Sequence, residues 1–355
     1  MLRISRVDEV LTGLAKPEMI EADSLEISAD DCLIVCAGFE DRALAFLRNT
    51  SSRRGHQFRV LVIYYLPAVI QNRTIDIEEL CRQSGLQRLA ATYDRRDPAG
   101  FGDVFLAELG SIVGRVYIDV SGMSRLLIVQ LLVALGSRES GFSRCSILYA
   151  EAAEYPPSRA VVEDAIAKSG ADPLYSMMLL SSGVFEVTIV PELSSISPAS
   201  QQTRLIAFPS FNTDQLTALR TELQPSRYSI IHGVPPSAEN LWRRDAIARL
   251  NHTDNLEVEE SYSTSTLDYR ETLECLLEIY GRHGATERIL IAPTGSKMQA
   301  VAVGILKAFL TDVQIVYPTP RAFTSPTTYT VGVKRLYQLP LDAFSQASTP
   351  YPRSG

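Results

Sequence analysis

The most constraining feature of this chain is that its second half repeats the rhythm of its first. CLIVCAGF (Cys32–Phe39) is an uninterrupted apolar run, and RLIAFPSF (Arg204–Phe211) answers it at an offset of 172. Each leads into a segment with helical spacing, EDRALAFLRN and NTDQLTALRTEL, and then into a second strand-like run, FRVLVIYYL (Phe58–Leu66) and RYSIIHGV (Arg227–Val234). Helical stretches follow near Ile75–Ser84 and Gly102–Leu109 in the first half, and near Ala238–Leu250 and Leu267–Tyr280 in the second. VYIDV (Val116–Val120) and ILIAP (Ile289–Pro293) then pass through glycine turns into apolar helices, with Gly122 and Gly295 separated by 173. CSILYA (Cys145–Ala150) and VQIVYP (Val313–Pro318) match at 168, and the tails beginning at Tyr155 and Tyr317 match at 162.

Strands that read as continuous apolar runs are buried on both faces, and alternation with helices predicts an α/β fold with mainly parallel sheets. The period is too long for a solenoid. It predicts two tandem Rossmann-like domains, residues 1–198 and 199–355, related by a pseudo-two-fold axis. The boundary is expected in the polar stretch SSISPASQQ, Ser194 to Gln202. Each tail precedes a strand-like segment, VFEVTIVPEL (Val184–Leu193) and TYTVGVKRLYQLPL (Thr328–Leu341), and the first copy carries a helical insert near Ala160–Ser169.

Composition narrows the function classes. The 355 residues are 46% apolar and 21% charged, a globular balance that suits about two domains. Lys and Arg total 34 against 41 Asp and Glu, a net charge of −7, which argues against a duplex-DNA footprint and leaves room for one small cationic pocket. The Arg53-Arg54, Arg95-Arg96 and Arg243-Arg244 pairs read as solvated faces. Five cysteines without a CxxC pair, and four scattered histidines, show no zinc spacing, so no metal is expected. Cys32 and Cys36 read as core residues, and the odd count fits a reducing, cytoplasmic location. The start, MLRISRVDEVLTG, lacks an apolar signal core, and the longest apolar run, Leu126–Leu135, is interrupted by Gln130, so no membrane segment is expected. GxGxxG and Walker A spacings are absent, so no nicotinamide, flavin or other cofactor is expected.

Ligands of open parallel sheets bind beyond the carboxyl ends of the strands, near the topological switch point. Two loops per copy leave that edge. One reads Asp119-Val120-Ser121-Gly122-Met123-Ser124-Arg125 in the first copy and Pro293-Thr294-Gly295-Ser296-Lys297-Met298-Gln299 in the second. Glycine allows a sharp turn, the hydroxyls cap a helix, free amides seat an anion, and Arg125 or Lys297 adds charge. Capping alone also explains Gly and Ser at such a turn. The other loop holds Gly38, Phe39, Glu40, Asp41 and Arg42 in the first copy, and Ser210 and Phe211 in the second. There a Phe would stack on a base, Arg42 would meet an anion and Glu40 a ribose hydroxyl, or the acids simply favour a helix N-terminus. Asp119 is a general base or a residue that binds loop amides. His232 is a weaker acid/base candidate.

The Pro293–Met298 loop, between a buried strand and an apolar helix, resembles the Thr-Gly-Gly-Thr-Lys loop of CARF (CRISPR-associated Rossmann fold) domains, and Ser121–Arg125 looks like a diverged copy. Ser296 stands where that family has its second Gly. Tandem CARF-like units are similar to the SAVED sensor domains of antiphage systems. The resemblance implies a cyclic-oligonucleotide ligand whose phosphates or ribose meet Thr294, Gly295, Ser296 and Lys297, and likewise Ser121, Gly122, Ser124 and Arg125; the position of the loops at the strand ends adds Gly38, Phe39, Glu40, Arg42, Asp119, Ser210, Phe211 and Gln299 as candidate ligand-binding residues. The resemblance also implies a sensor role in prokaryotic antiviral defence, with a separate effector protein as partner and a possible homo-oligomer. Alternatives are a metal-independent ring nuclease, with Lys297 and Ser296 as catalytic residues, and an interaction scaffold that binds no ligand.

Overall fold

The computed structural model describes residues 13–51, 58–110, 112–138, 140–169, 181–195, 201–253, 260–323 and 329–346. The chain divides into two compact units, Met1–Glu154 with Thr330–Gly355, and Tyr155–Tyr329.

The first unit holds β1 (Glu18–Ile20), β2 (Cys32–Cys36), α1 (Ala45–Ser51), β3 (Arg59–Leu66), α2 (Thr74–Gln83), β4 (Gln87–Asp94), α3 (Phe101–Leu109), β5 (Val116–Asp119), α4 (Arg125–Ser137), β6 (Cys145–Glu151) and β14 (Arg335–Pro340). Its sheet order is β1-β14-β6-β5-β2-β3-β4. The five strands from β6 to β4 are parallel, while β14 runs antiparallel to both β6 and β1. Every residue of β2 is buried, as its unbroken apolar sequence requires of a central strand with helices on both faces. Helix α4 is buried on nearly all sides, so apolar residues recur without the gaps of a surface helix.

The second unit holds α5 (Arg159–Ser169), β7 (Ser181–Thr188), β8 (Gln202–Ala207), α6 (Thr213–Leu223), β9 (Arg227–Val234), α7 (Trp242–Leu250), β10 (Glu260–Ser265), α8 (Tyr269–His283), β11 (Glu287–Ala292), α9 (Lys297–Phe309), β12 (Gln314–Ile315) and β13 (Tyr317–Phe323). Its parallel sheet has the order β10-β9-β8-β11-β12, and β7 pairs with β13 in an antiparallel ribbon. Counted within each unit, both parallel sheets read 3-2-1-4-5, the Rossmann-like order. Both units therefore have a switch point between strands one and four: β2 and β5 in the first, β8 and β11 in the second.

Three expectations need correction. The division at 198/199 gives way to breaks at 154/155 and 329/330, because the tail strands trade places. β7, which follows the first copy in sequence, pairs with β13 of the second unit, and β14, which follows the second copy, pairs with β6 of the first. The matched Tyr-Pro tails are also not equivalent: Tyr317–Phe323 is a strand, whereas 155–158 is irregular and contains a cis Pro156–Pro157 bond. Finally, β4 and β10 were not anticipated, because QRLAATYD and ESYSTS are half-exposed edge strands without apolar runs. The SSISPASQQ stretch lies largely, and the Arg53-Arg54 pair wholly, outside the described residues.

Candidate functional site

In the first unit the two loops at the switch point pack directly on each other. A side chain on Gly38 would place its Cβ 2.6 Å from the Gly122 carbonyl oxygen, and one on Gly122 would come 2.8 Å from both the Cys36 carbonyl and Ala43 Cβ. Backbone on both sides forbids any Cβ, so these glycines serve loop-to-loop packing. Ser121, fully buried, accepts from the Ala150 amide at 2.8 Å and so ties the β5 loop to the end of β6. Asp119 Oδ1 accepts from the Ser121 amide at 2.9 Å. Ser124 caps α4 through the Leu127 amide at 3.3 Å. Arg125, half-buried, occupies the first helical position beside it.

The Gly38–Arg42 loop turns inward. Arg42 Nε donates to Glu40 at 2.8 Å, and its Nη1 donates to the Ala150 carbonyl at 3.1 Å and the Tyr149 hydroxyl at 3.2 Å. The guanidinium also lies 5.5 Å from the Tyr149 ring centroid. Glu40 accepts a second hydrogen bond from Thr330 Oγ1 at 2.7 Å, which anchors the returning C-terminal segment of the same unit. Both side chains are buried and paired with each other, and the loop's other charge, Asp41, is paired with Arg73. Phe39 is half-buried at the same edge.

Sequence reasoning missed Tyr65, the last aromatic of β3 before the carboxyl edge. Its hydroxyl accepts from the Ser124 amide at 2.6 Å, joining the third strand to the α4 cap. Burial holds this phenol well above its usual range, so it stays a neutral group. The available signal was its position at the end of an apolar strand that aims at the switch point.

In the second unit the loops after β8 and β11 meet in the same way. Thr294 Oγ1 donates to the Phe208 carbonyl at 2.6 Å. A Cβ on Gly295 would collide with Gln299 Oε1 and stand 3.0 Å from Phe208 Cβ. Ser296 and Gln299 form a reciprocal capping box: the Gln299 amide donates to Ser296 Oγ at 3.0 Å, and the Ser296 amide donates to Gln299 Oε1 at 2.8 Å. Gln299 Nε2 reaches on to Thr264 Oγ1 at 3.1 Å, which in turn is bonded to Thr272 at 2.8 Å. This buried chain connects α9 and its cap with β10 and α8 and fixes the start of α9. Thr264 too was missed, because it sits on the unanticipated strand β10.

Ser210 is half-buried and accepts from the Asn212 amide at 3.2 Å, while its carbonyl takes a bond from Asn251 at 2.8 Å. Phe211 is not at a lip. It is buried against Trp242 at 6.2 Å and under the Arg243 guanidinium at 4.7 Å. His232 is buried at the end of β9.

The electrostatics of this unit are polarised along the strands. At the amino ends, fully buried Arg204 binds Glu287 at 2.6 Å, Ser229 at 2.9 Å and Glu260 at 3.5 Å, and His283 contacts Glu260 at 3.0 Å. At the carboxyl ends, residues 207–212 and 292–297 contain a single charged side chain, Lys297, half-buried at the first position of α9. A 13-residue helix adds its positive end to that cation. Neither of these two loops contains a carboxylate. Among the described residues no group of acids, His and Cys could hold a metal ion, and no helix is long and apolar enough to cross a membrane.

No family model and no curated protein matches the chain. Among solved structures, it is similar to a type III CRISPR defence DNA nuclease activated by cyclic oligoadenylate, at 9% identity and TM-score 0.47, over 89% of this chain and 70% of the other. It is also similar to a putative universal stress protein from Pseudomonas aeruginosa UCBPP-PA14, at 8% identity and TM-score 0.25, over 82% of this chain and 94% of the other. With TM-scores below 0.5, these similarities assign neither a family nor an activity.

Proposed function

We propose that the chain is a CARF-like sensor that binds a phosphate-bearing nucleotide, of the cyclic oligonucleotide type, at the switch point of its second unit. The supporting observation is the start of α9: Lys297 stands at the first position of a 13-residue helix, at the carboxyl edge between two loop stretches, 207–212 and 292–297, that contain no acid, and the Ser296–Gln299 capping box fixes that helix start. Thr294, Gly295 and Ser296 shape the seat through bonds to their own fold, and Lys297 supplies charge to phosphate oxygens. In the first unit Ser121, Gly122, Ser124 and Asp119 are likewise engaged within the fold. Ser296 Oγ is spent on the cap, which favours binding over catalysis by that hydroxyl. The resemblance of the Pro293–Met298 loop supports a role for such a sensor in antiviral defence, acting on a separate effector.

The test is a thermal-shift panel of cyclic di-, tri-, tetra- and hexanucleotides and AMP, with recovery of each compound by mass spectrometry. At a ligand concentration of 100 times Kd, binding stabilises the fold by about 2.7 kcal/mol, a shift visible by melting. One cyclic compound is expected to bind, to be recovered intact, and to lose affinity on Lys297→Ala. Linear products would establish a ring nuclease instead. A flat panel would leave the scaffold reading and overturn the sensor.

A further inference from the structure

The open edges of the two parallel sheets are unequal. In the second unit, β12 is two residues long, and β10 opens with Glu260, whose carboxylate is engaged by Arg282, His283 and Ser229. In the first unit, the β1 edge is only three residues long. At the other end of that sheet, β4 presents eight residues, Gln87 to Asp94, paired residue for residue with β3 and without a register shift. It contains no proline and no lysine. Natural edges are normally blunted by shortness, bulges, proline or charge, and a long, flat, open strand is a template for pairing.

The Arg95 amide donates to the Leu66 carbonyl, so odd-numbered residues of this strand direct their backbone groups toward β3. Arg88, Ala90, Thr92 and Asp94 therefore direct theirs outward, because successive residues alternate. We infer that β4 is a self-association edge, at which a second copy of this chain adds its own β4 antiparallel about a two-fold axis through Ala91. That register is the one that matches all four outward residues: Ala90 faces Thr92 and Arg88 faces Asp94, each pair exchanging both backbone bonds. It sets opposite charges across the seam twice, on one face of the sheet. On that face Arg88, Ala90 and Thr92 are exposed, and among the described residues no element covers the ledge. In the monomer Arg88 donates through Nη1 to Glu78 at 2.8 Å and to Tyr64 at 3.1 Å, an exposed pairing that leaves donors for Asp94 of the second copy. The partner is self-complementary, as a two-fold interface demands.

Sedimentation equilibrium of the full chain over a concentration series, with charge reversals, tests this. The wild type is expected to dimerise. Arg88→Glu and Asp94→Lys each set like charges across the seam and are expected to weaken the dimer at least about tenfold, and the double variant to restore it. Both residues lie on the surface, and the Arg88–Glu78 pair is too exposed for its loss to unfold the unit. As a check independent of charge, Ala90→Pro deletes an amide that points away from the monomer's own sheet. It is expected to abolish the dimer while leaving the melting curve of the monomer in place. A wild type that is monomeric at every concentration, or a dimer indifferent to Ala90→Pro, or a double reversal no better than the singles, would overturn the inference.

Discussion

Lys307 offers the sharpest physical test of the second unit. It lies in the last turn of α9, 4% exposed, and its ammonium donates to three carbonyls: Val313 at 2.7 Å, Ser194 at 3.0 Å and Thr311 at 3.0 Å. The three carbonyls and the helix C-terminus favour the cation, but burial opposes it more strongly and lowers its pKa from 10.5 to about 8, with Asp312 partly offsetting the effect. The unfolded chain therefore holds this proton more tightly than the native one. Between pH 8 and the unfolded value, the unfolded state binds more protons, so stability rises with pH in that window. The full shift is worth about 3 kcal/mol, of which about 1 kcal/mol is gained between pH 7 and pH 9. Cys275, in the same unit, is pushed from 9.0 up to about 12 by burial and works in the opposite direction above pH 9, so the measurement stops there.

The single tryptophan, Trp242, lies in this unit and serves as its fluorescent reporter. Urea unfolding followed by its fluorescence, for wild type and for Lys307→Met, isolates the lysine in the difference between the two. The wild type is expected to gain about 1 kcal/mol relative to the variant from pH 7 to pH 9, a midpoint shift of roughly 0.5 M urea. A difference that stays flat, or falls with pH, would show that the three carbonyls hold the cation strongly enough to cancel its burial, and the reasoning would be refuted.

Other outcomes follow from the geometry. Arg243 donates to the carbonyls of Tyr155, Pro156 and Pro157 at 2.7, 3.2 and 3.1 Å and lies 5.2 Å from the Trp242 ring, while burial lowers its pKa to about 10. Arg243→Leu is expected to cost the second unit about 2–3 kcal/mol and to shift Trp242 emission, with Arg243→Lys recovering only part of it. Gly122→Ala would force a Cβ against the Cys36 carbonyl and Ala43 and is expected to lower the stability of the first unit by about 1–3 kcal/mol, read by calorimetry. Ser296→Ala removes one arm of the capping box and is expected to cost about 1 kcal/mol by Trp242 unfolding.

Central strands and buried helices were legible in the sequence because burial on every side writes itself as an unbroken apolar run. CLIVC, VYID and the two helices that follow the glycine turns are all of this kind, and they alone locate both switch points. The loops at those points were legible for the same reason, since each is fixed by the strand before it. The roles of individual loop residues were not. Whether Arg42 meets a ligand or Glu40, and whether Phe211 caps a base or a core, depends on side-chain direction, which neither periodicity nor spacing encodes. The partition of the units was hidden more deeply. β7 and β14 lie where the repeat puts them, yet each pairs with the other copy's strands, a long-range choice that local pattern cannot express.

The strands that escaped, β1, β4 and β10, share one physical property: each has a neighbour on one side only. An edge strand needs apolar residues on a single face, so its sequence falls back to polar alternation and loses the signal of burial. In QRLAATYD only Ala91 and Tyr93 are buried, and both lie on one face. The residues that make such a strand hard to read are thus the ones left open to solvent. Their side chains were free to be chosen for something other than the core of their own unit. Arg88 and Asp94, at opposite ends of β4 and on the same face, are placed where a second copy would read them.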